Sequence, residues 1–334
     1  MIAPFISYKE RKAIKMDKIC EELYKIGIVP VIAIDDAKDA VPLAEALIKG
    51  GLPAAEVTFR TAAAEEAIRL ISEKFPEMIV GAGTVLNAEQ ADRAKAAGAK
   101  FIVSPGFNRS NVEYIQSIGV PVVPGTATPG EVEQAIELGL DCVKFFPAEQ
   151  NGGIAKIKAM AAPYTKMHFM PTGGVNKNNL NDYLSFNKVF CCGGSWMVKK
   201  DLISAGKFDE IEAMTRDAVN AMLGFTMKHV GINETDAAAA EKTAEMFELF
   251  GFGKKVGNSS VFAGSVVEVM KSQGRGTHGH IAIGTNNVDR AVYHLGKQGV
   301  KFDESSFSYD ADNHLKVAYL ADEFGGFAVH LVKN

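Results

Sequence analysis

Cysteine is scarce in this chain: there are four in 334 residues, Cys20, Cys142, Cys191 and Cys192, and none has C-x-x-C spacing. That excludes a disulfide framework and a thiolate zinc module, and all four are read as buried thiols. Cys191 and Cys192 are not read as a redox pair, because neighbouring residues on a strand point to opposite faces. Long apolar runs are also missing, and no stretch approaches the roughly eighteen residues of a membrane-spanning helix. The N-terminus, Met1 to Phe5 followed by Lys9, Arg11, Lys12 and Lys15, lacks the apolar block of a secretion signal. The expectation is a cytoplasmic protein. Charge of one sign is not in excess: 36 Lys and Arg stand against 40 Asp and Glu, a net charge of −4. This removes the electrostatic basis for nucleic acid or an anionic membrane as partner. What is present is a globular composition, 47% hydrophobic and 23% charged. At roughly 150 residues per domain, the length suggests two domains.

The first 225 residues alternate short apolar, β-branched runs with longer Ala-rich segments, the pattern of a parallel sheet with helical crossovers. Strands are expected at Val29–Ile34, Ala55–Phe59, Ile79–Val85, Phe101–Ser104, Val120–Pro124, Cys142–Phe146, His168–Thr172 and Val189–Cys192. Eight such units over this length match a (β/α)8 TIM barrel. After Phe225 the histidine usage changes, with His229, His278, His280, His294, His314 and His330 all in the last third. Met227–Ile232 and Thr277–Ile283 look alike, each followed by a helix-like segment, which suggests two βαβββ modules over 226–334. The predicted architecture is therefore α/β, with a barrel over 1–225 and a smaller α+β domain of paired βαβββ modules behind it.

In such barrels the reactive groups sit where strands end. Lys144 lies within the apolar run Cys142–Phe146, where burial disfavours a charged ammonium. A neutral amine there can condense with a ketone to a Schiff base; the other reading is a structural lysine paired with a carboxylate. Glu56, Thr58 and Arg60 share one face if their strand runs through all three. A carboxylate and a guanidinium on that face can move protons and hold a substrate carboxylate, or simply pair with each other. Thr84, ending Gly81-Ala82-Gly83-Thr84, offers a hydroxyl. Two paired-glycine turns, Gly173-Gly174 and Gly193-Gly194-Ser195, are either tight turns alone or a backbone cradle for an anion. A helix starting near Trp196 would add its positive end to that cradle.

These blocks, together with Ser104-Pro105-Gly106 and Phe145-Phe146-Pro147-Ala148-Glu149, resemble the KDPG/KHG aldolases over about residues 17–222. That is a class I pyruvate aldolase family, named for 2-keto-3-deoxy-6-phosphogluconate (KDPG) and 4-hydroxy-2-oxoglutarate (KHG). The resemblance implies Lys144 as Schiff-base nucleophile and Glu56 as general acid and base. It further implies Arg60 and Thr84 as holders of the pyruvate carboxylate, and Pro105 and Phe146 as pocket walls. Gly173, Gly174, Gly194 and Ser195 correspond to the phosphate site. No metal or other cofactor is implied for this domain; a keto-acid substrate and a homotrimer are. A barrel that binds phosphorylated metabolites without catalysis is the alternative, with any activity then left to the tail.

The tail resembles the glyoxalase/vicinal-oxygen-chelate superfamily through His229-Val230-Gly231-Ile232, Gly279-His280-Ile281-Ala282-Ile283 and Gly325-Gly326-Phe327-Ala328-Val329-His330-Leu331. The resemblance selects His229, Glu268, His280 and His330 as ligands of a divalent metal, Zn, Ni, Mn or Fe. His278 shares a face with His280 on the expected strand and is a substitute ligand. His330 stands where glyoxalase I has a glutamate, so glutathione-dependent isomerisation is not implied. The other reading is a metal-free oligomerisation or ligand-binding module. Lys254-Lys255 is read as a solvated turn.

Overall fold

The structure is a computed structural model that describes residues 16–334. The N-terminal residues read above for a secretion signal lie outside the described ones. Two compact units result, 16–222 and 223–334.

The first unit carries parallel strands β1 (Ile28–Ile32), β2 (Ala54–Thr58), β3 (Ile79–Gly83), β4 (Phe101–Val103), β5 (Val122–Val123), β6 (Gly125–Thr126), β7 (Cys142–Phe145), β8 (His168–Pro171) and β9 (Cys192–Gly194). β2 and β7 are buried at every residue, as expected of strands covered on both faces. The intervening helices bury one stripe each. Ala64–Lys74, for instance, turns Ala64, Ala67, Ile68 and Ile71 inward, the spacing of one helical face. Starts are marked by side-chain caps: Asn87, Asn108 and Thr128 each accept from a backbone N–H two or three residues into the following helix.

One expected strand is split. Pro124 has no N–H to donate, so pairing with β4 stops at β5 and pairing with β7 starts at β6. Pro124 still accepts from the Lys144 N–H at 2.9 Å. The chain also bends here because Gly125 comes against Pro105: a Cβ at Gly125 would lie 2.2 Å from the Pro105 carbonyl oxygen. A second correction concerns the last strand, which forms at Cys192–Gly194 instead of Val189–Cys192. Only Val189 keeps a single bridge, to Phe169. β1 pairs with both β2 and β9, and Thr172 bridges to Gly193, so the parallel sheet is strongly curled.

The second unit is sheet-rich. β10 (Thr226–Asn233), a helix (Ala237–Glu248), β11 (Lys254–Val256), β12 (Ser260–Ala263) and β13 (Val267–Met270) are followed by a second set in the same order. That set is β14 (Gly279–Thr285), a helix (Val288–Lys297), β15 (Phe302–Tyr309), β16 (Leu315–Phe324) and β17 (Phe327–Lys333). All eight strands form one sheet, β11-β12-β13-β10-β14-β17-β16-β15, in which the two sets meet at the antiparallel β10–β14 pair. Ala240 and Ala244 pack on Val261 and Val269 beneath the first helix. Gly325 and Gly326, both at positive φ, make the two-residue hairpin turn between β16 and β17. Lys254-Lys255, expected as a turn, is edge strand β11, with Lys254 paired to Glu245 at 3.2 Å; a lysine-bearing edge resists pairing with another chain.

The Thr128 cap is reciprocal, because the Glu131 carboxylate also accepts from the Thr128 N–H at 2.9 Å. Thr128→Ala is expected to lower the stability of the first unit by about 1 kcal/mol in urea unfolding.

Candidate active site and candidate metal centre

Lys144 on β7 and Glu56 on β2 meet inside the first unit. The Lys144 Nζ lies 3.1 Å from Glu56 Oε1 and 3.4 Å from Oε2, and the residues are 5% and 0% exposed. The backbone of Lys144 is pinned on both sides. Its N–H donates to Pro124, and its carbonyl accepts from the Thr126 hydroxyl at 3.1 Å. The Phe146 ring lies 5.3 Å from the ammonium. Space for the carboxylate comes from a missing side chain: a Cβ at Gly83 would fall 2.3 Å from Glu56 Oε1. Both charges are thus desolvated and depend on each other. The carboxylate lies within proton-transfer distance of the amine.

Arg60 departs from expectation. β2 ends at Thr58, so Arg60 lies in the following turn and is exposed; it does not continue the buried face. It folds back instead, donating from Nε to the Thr58 hydroxyl at 3.1 Å, and that hydroxyl donates to the Ile32 carbonyl at 2.7 Å. A guanidinium at the strand end stays hydrated, whereas one further inside would need a second buried carboxylate. Thr84 directly follows β3 at a φ of 58°, an uncommon conformation for a residue with a Cβ. Pro105 and Phe146 are half-buried.

The turn after β8 has two glycines at positive φ, Gly173 and Gly174. A Cβ on Gly174 would lie 2.4 Å from the Glu149 side chain. Their N–H groups donate to no acceptor among the described residues, which suits an anion cradle. After β9, Gly194 is required by the Trp196 ring, which a Cβ would approach to 1.9 Å. Ser195 is exposed. The helix expected near Trp196 begins only at Lys200 and has five residues, since Val198 turns back onto the Ser195 carbonyl. The helix-end contribution to the cradle is therefore withdrawn.

Sequence reasoning missed Thr172. It is 5% exposed, and its hydroxyl has no hydrogen-bond partner among the described residues. A Cβ on Gly193 would lie 2.3 Å from that hydroxyl. A buried hydroxyl without a partner at a strand end is an exception among buried polar groups. Its place directly before Gly173-Gly174 was the available signal.

In the second unit all four selected residues converge. His229 Nε2 and His280 Nε2 are 3.0 Å apart, and each is 3.2 Å from Glu268 Oε2. Ser260 donates to the other carboxylate oxygen at 2.7 Å. The ring nitrogens of His229, His280 and His330 include a set lying within 4.8 Å of one another. Hydrogen bonds from His229 and then His280 hold the Glu268 carboxyl well below its usual range. Burial, then the proximity of His280 and His229, pushes the His330 imidazole down to about 4. Its ring stacks on Tyr319 at 4.6 Å, and both its nitrogens lack a partner among the described residues. Gly231 makes room for this arrangement, because a Cβ there would lie 2.1 Å from the His280 ring. His278 does not join. β14 starts at Gly279, whose φ of 138° breaks the shared face, and the exposed His278 ring lies against Phe327.

A family model described as KDPG and KHG aldolase matches residues 19–214. A 2-dehydro-3-deoxy-phosphogluconate aldolase of Treponema pallidum is 48% identical over 204 residues, 61% of this chain and 97% of that protein. A KHG/KDPG aldolase of Escherichia coli is 44% identical over 192 residues, 58% of this chain and 90% of that protein. Among solved structures, the KDPG aldolase of Legionella pneumophila, with pyruvate captured as a covalent carbinolamine, is similar with a TM-score of 0.58 and 37% identity. The match covers 60% of this chain and 97% of that one. The Zymomonas mobilis enzyme with 3-phosphoglycerate matches with a TM-score of 0.55 and 39% identity, over 60% and 94% of the two chains.

A curled parallel α/β sheet with a buried amine and carboxylate at its strand ends, taken with these relatives, defines a class I aldolase, a lyase that works through a lysine imine. The chain belongs to the KDPG and KHG aldolase family.

Gly83→Ala is expected to push the Glu56 carboxylate off Lys144 and lower kcat about tenfold or more, since small misplacements of reacting groups carry penalties of this order. Steady-state kinetics on protein with unchanged circular dichroism checks this.

Proposed function

We propose that the chain cleaves 2-keto-3-deoxy-6-phosphogluconate to pyruvate and glyceraldehyde 3-phosphate, and 4-hydroxy-2-oxoglutarate to pyruvate and glyoxylate. The observation that carries this reading is the buried 3.1 Å contact between Lys144 and Glu56. In the proposed reaction Glu56 takes a proton from Lys144, the freed amine adds to the C2 carbonyl, and Glu56 returns the proton as water leaves, giving a protonated imine and a Glu56 carboxylate. Glu56 takes the C4 hydroxyl proton, the C3–C4 bond breaks, and its electron pair moves into the imine to form an enamine while the aldehyde departs. Protonation at C3 and addition of water release pyruvate and restore the amine. Arg60 and Thr84 are assigned to the substrate carboxylate, Pro105 and Phe146 to the pocket walls, and Gly173, Gly174, Gly194 and Ser195 to the phosphate. Thr172 is added as a hydroxyl facing the same end.

The same proposal takes residues 1–225 as a closed (β/α)8 barrel, supported by the β1–β9 pairing and the Thr172–Gly193 bridge. It includes the trimer suggested by the resemblance, and a cytoplasmic location. No helix among the described residues is long and apolar enough to cross a membrane.

For residues 226–334 the proposal is a glyoxalase/vicinal-oxygen-chelate module holding a divalent metal through His229, Glu268, His280 and His330. The donor set fits such an ion: three imidazoles and a carboxylate converge, and the ring nitrogens of buried His330 have no side-chain hydrogen-bond partner among the described residues. A bound ion would polarise an oxygen of a ligand. Glu268 is further oriented by Ser260, a supporting contact of the kind metal carboxylates need.

Incubation with pyruvate and borohydride is expected to give one reduced adduct by intact mass, absent from Lys144→Ala. Glu56→Gln should keep the adduct but slow turnover by about a hundredfold or more, as loss of a general base does. An adduct that survives in Lys144→Ala rejects the mechanism. For the tail, elemental analysis of purified protein should find a divalent metal in the native chain and much less in His280→Ala. Equal content in both removes that site.

A further inference from the structure

Tyr183 is a buried tyrosine, 1% exposed, on the short helix Leu180–Leu184. Packing alone would be served by phenylalanine; a buried phenol needs a partner for its hydroxyl. That partner is Glu149, whose Oε1 accepts from the Tyr183 O–H. Glu149 itself is exposed and follows Phe146-Pro147-Ala148, the segment that leaves β7, five residues beyond Lys144. Its neighbours give the pair meaning. The Glu149 side chain lies under Gly174, where a Cβ would come within 2.4 Å of Glu149 Cγ. On the opposite side is Gly153, where a Cβ would be 3.3 Å from both Glu149 Oε1 and the Tyr183 hydroxyl.

The two backbones are laced together at the same place. Ala148 N–H donates to the Thr172 carbonyl at 2.8 Å and Glu149 N–H to the Gly173 carbonyl at 3.1 Å. From the other side the amides of Asn176 and Asn179 both donate to the Gly174 carbonyl at 3.1 Å. With its carbonyls occupied, the turn is left to present N–H groups. Glu149 is the one feature that works against this: an untethered carboxylate beside the turn would repel a phosphate and compete for the same donors.

We propose that Tyr183 and Glu149 are a positioning pair, in which the phenol holds the carboxylate away from the anion site while the side chain beneath Gly174 sets the turn for a phosphorylated substrate. The inference rests on the reading of Gly173 and Gly174 as a phosphate cradle. A residue that touches no substrate then bears on the choice between phosphorylated and unphosphorylated acids.

The test is steady-state kinetics on the full chain with 2-keto-3-deoxy-6-phosphogluconate and 4-hydroxy-2-oxoglutarate, after competition by 3-phosphoglycerate has been measured in the native enzyme. Absence of competition overturns the cradle reading, and this inference with it. With competition present, Tyr183→Phe is expected to raise the ratio of KM for the phosphorylated to that for the unphosphorylated acid about tenfold, the equivalent of ~1.4 kcal/mol. Glu149→Ala should raise it as well; being exposed, Glu149 can be truncated without opening the core. Glu149→Gln keeps an acceptor for the phenol without the charge and should hold the ratio within about twofold of the native value, a shift of well under 1 kcal/mol. A ratio unmoved in both Tyr183→Phe and Glu149→Ala, or equal losses on both substrates, overturns the proposal while leaving the cradle intact.

Discussion

The active end of the first unit depends on one desolvated contact, between the Lys144 amine and the Glu56 carboxylate. Placing either charge alone in this buried interior would be costly, and a buried pair seldom stabilises a fold as well as apolar residues of the same volume. The pair sits between β2 and β7, which do not pair with each other, so the contact exists only because the sheet curls. Every nearby device serves it: the missing side chain at Gly83, the Pro124 acceptor for the Lys144 N–H, and the Thr126 hydroxyl on the Lys144 carbonyl.

Several of the decisive positions are glycines that create room for a neighbour. Gly83 admits a carboxylate, Gly193 the Thr172 hydroxyl, Gly194 the Trp196 ring and Gly231 the His280 ring. Only Gly173 and Gly174 are there for conformation as well, since a residue with a Cβ would be strained at their φ values. The strand-end sites are crowded, and a methyl group at any of these four positions meets a functional atom or its support before it meets solvent.

The two units bring polar side chains inward by different physical means. In the first, an amine and a carboxylate compensate each other in a dry interior. In the second, three imidazoles and a carboxylate gather on one sheet: His229 and His280 lie 3.0 Å apart and both contact Glu268, while the His330 ring stacks on Tyr319.

Much was legible in the residues alone. Apolar runs of strand length separated by amphipathic segments announce a parallel α/β unit, because burial on both faces demands them. A lysine and a glutamate inside such runs stand out, because nothing local can solvate them. The strand–helix–three-strand repeat was likewise visible in the echo of His229 by His280. The tertiary structure alone decided how far each strand runs and what its end residues face. β2 stops before Arg60 because a guanidinium keeps its water at the rim, and the helix after Gly194 starts late because Trp196 folds back over that glycine. His278 was lost to the cluster through the single backbone angle at Gly279. Thr172, Tyr183 and Glu149 carried no local signal strong enough to single them out, since a hydroxyl or carboxylate is defined by what packs against it from segments distant in the chain. Periodicity is a local property and can be read in order; orientation at a strand end is set by neighbours that only folding brings together.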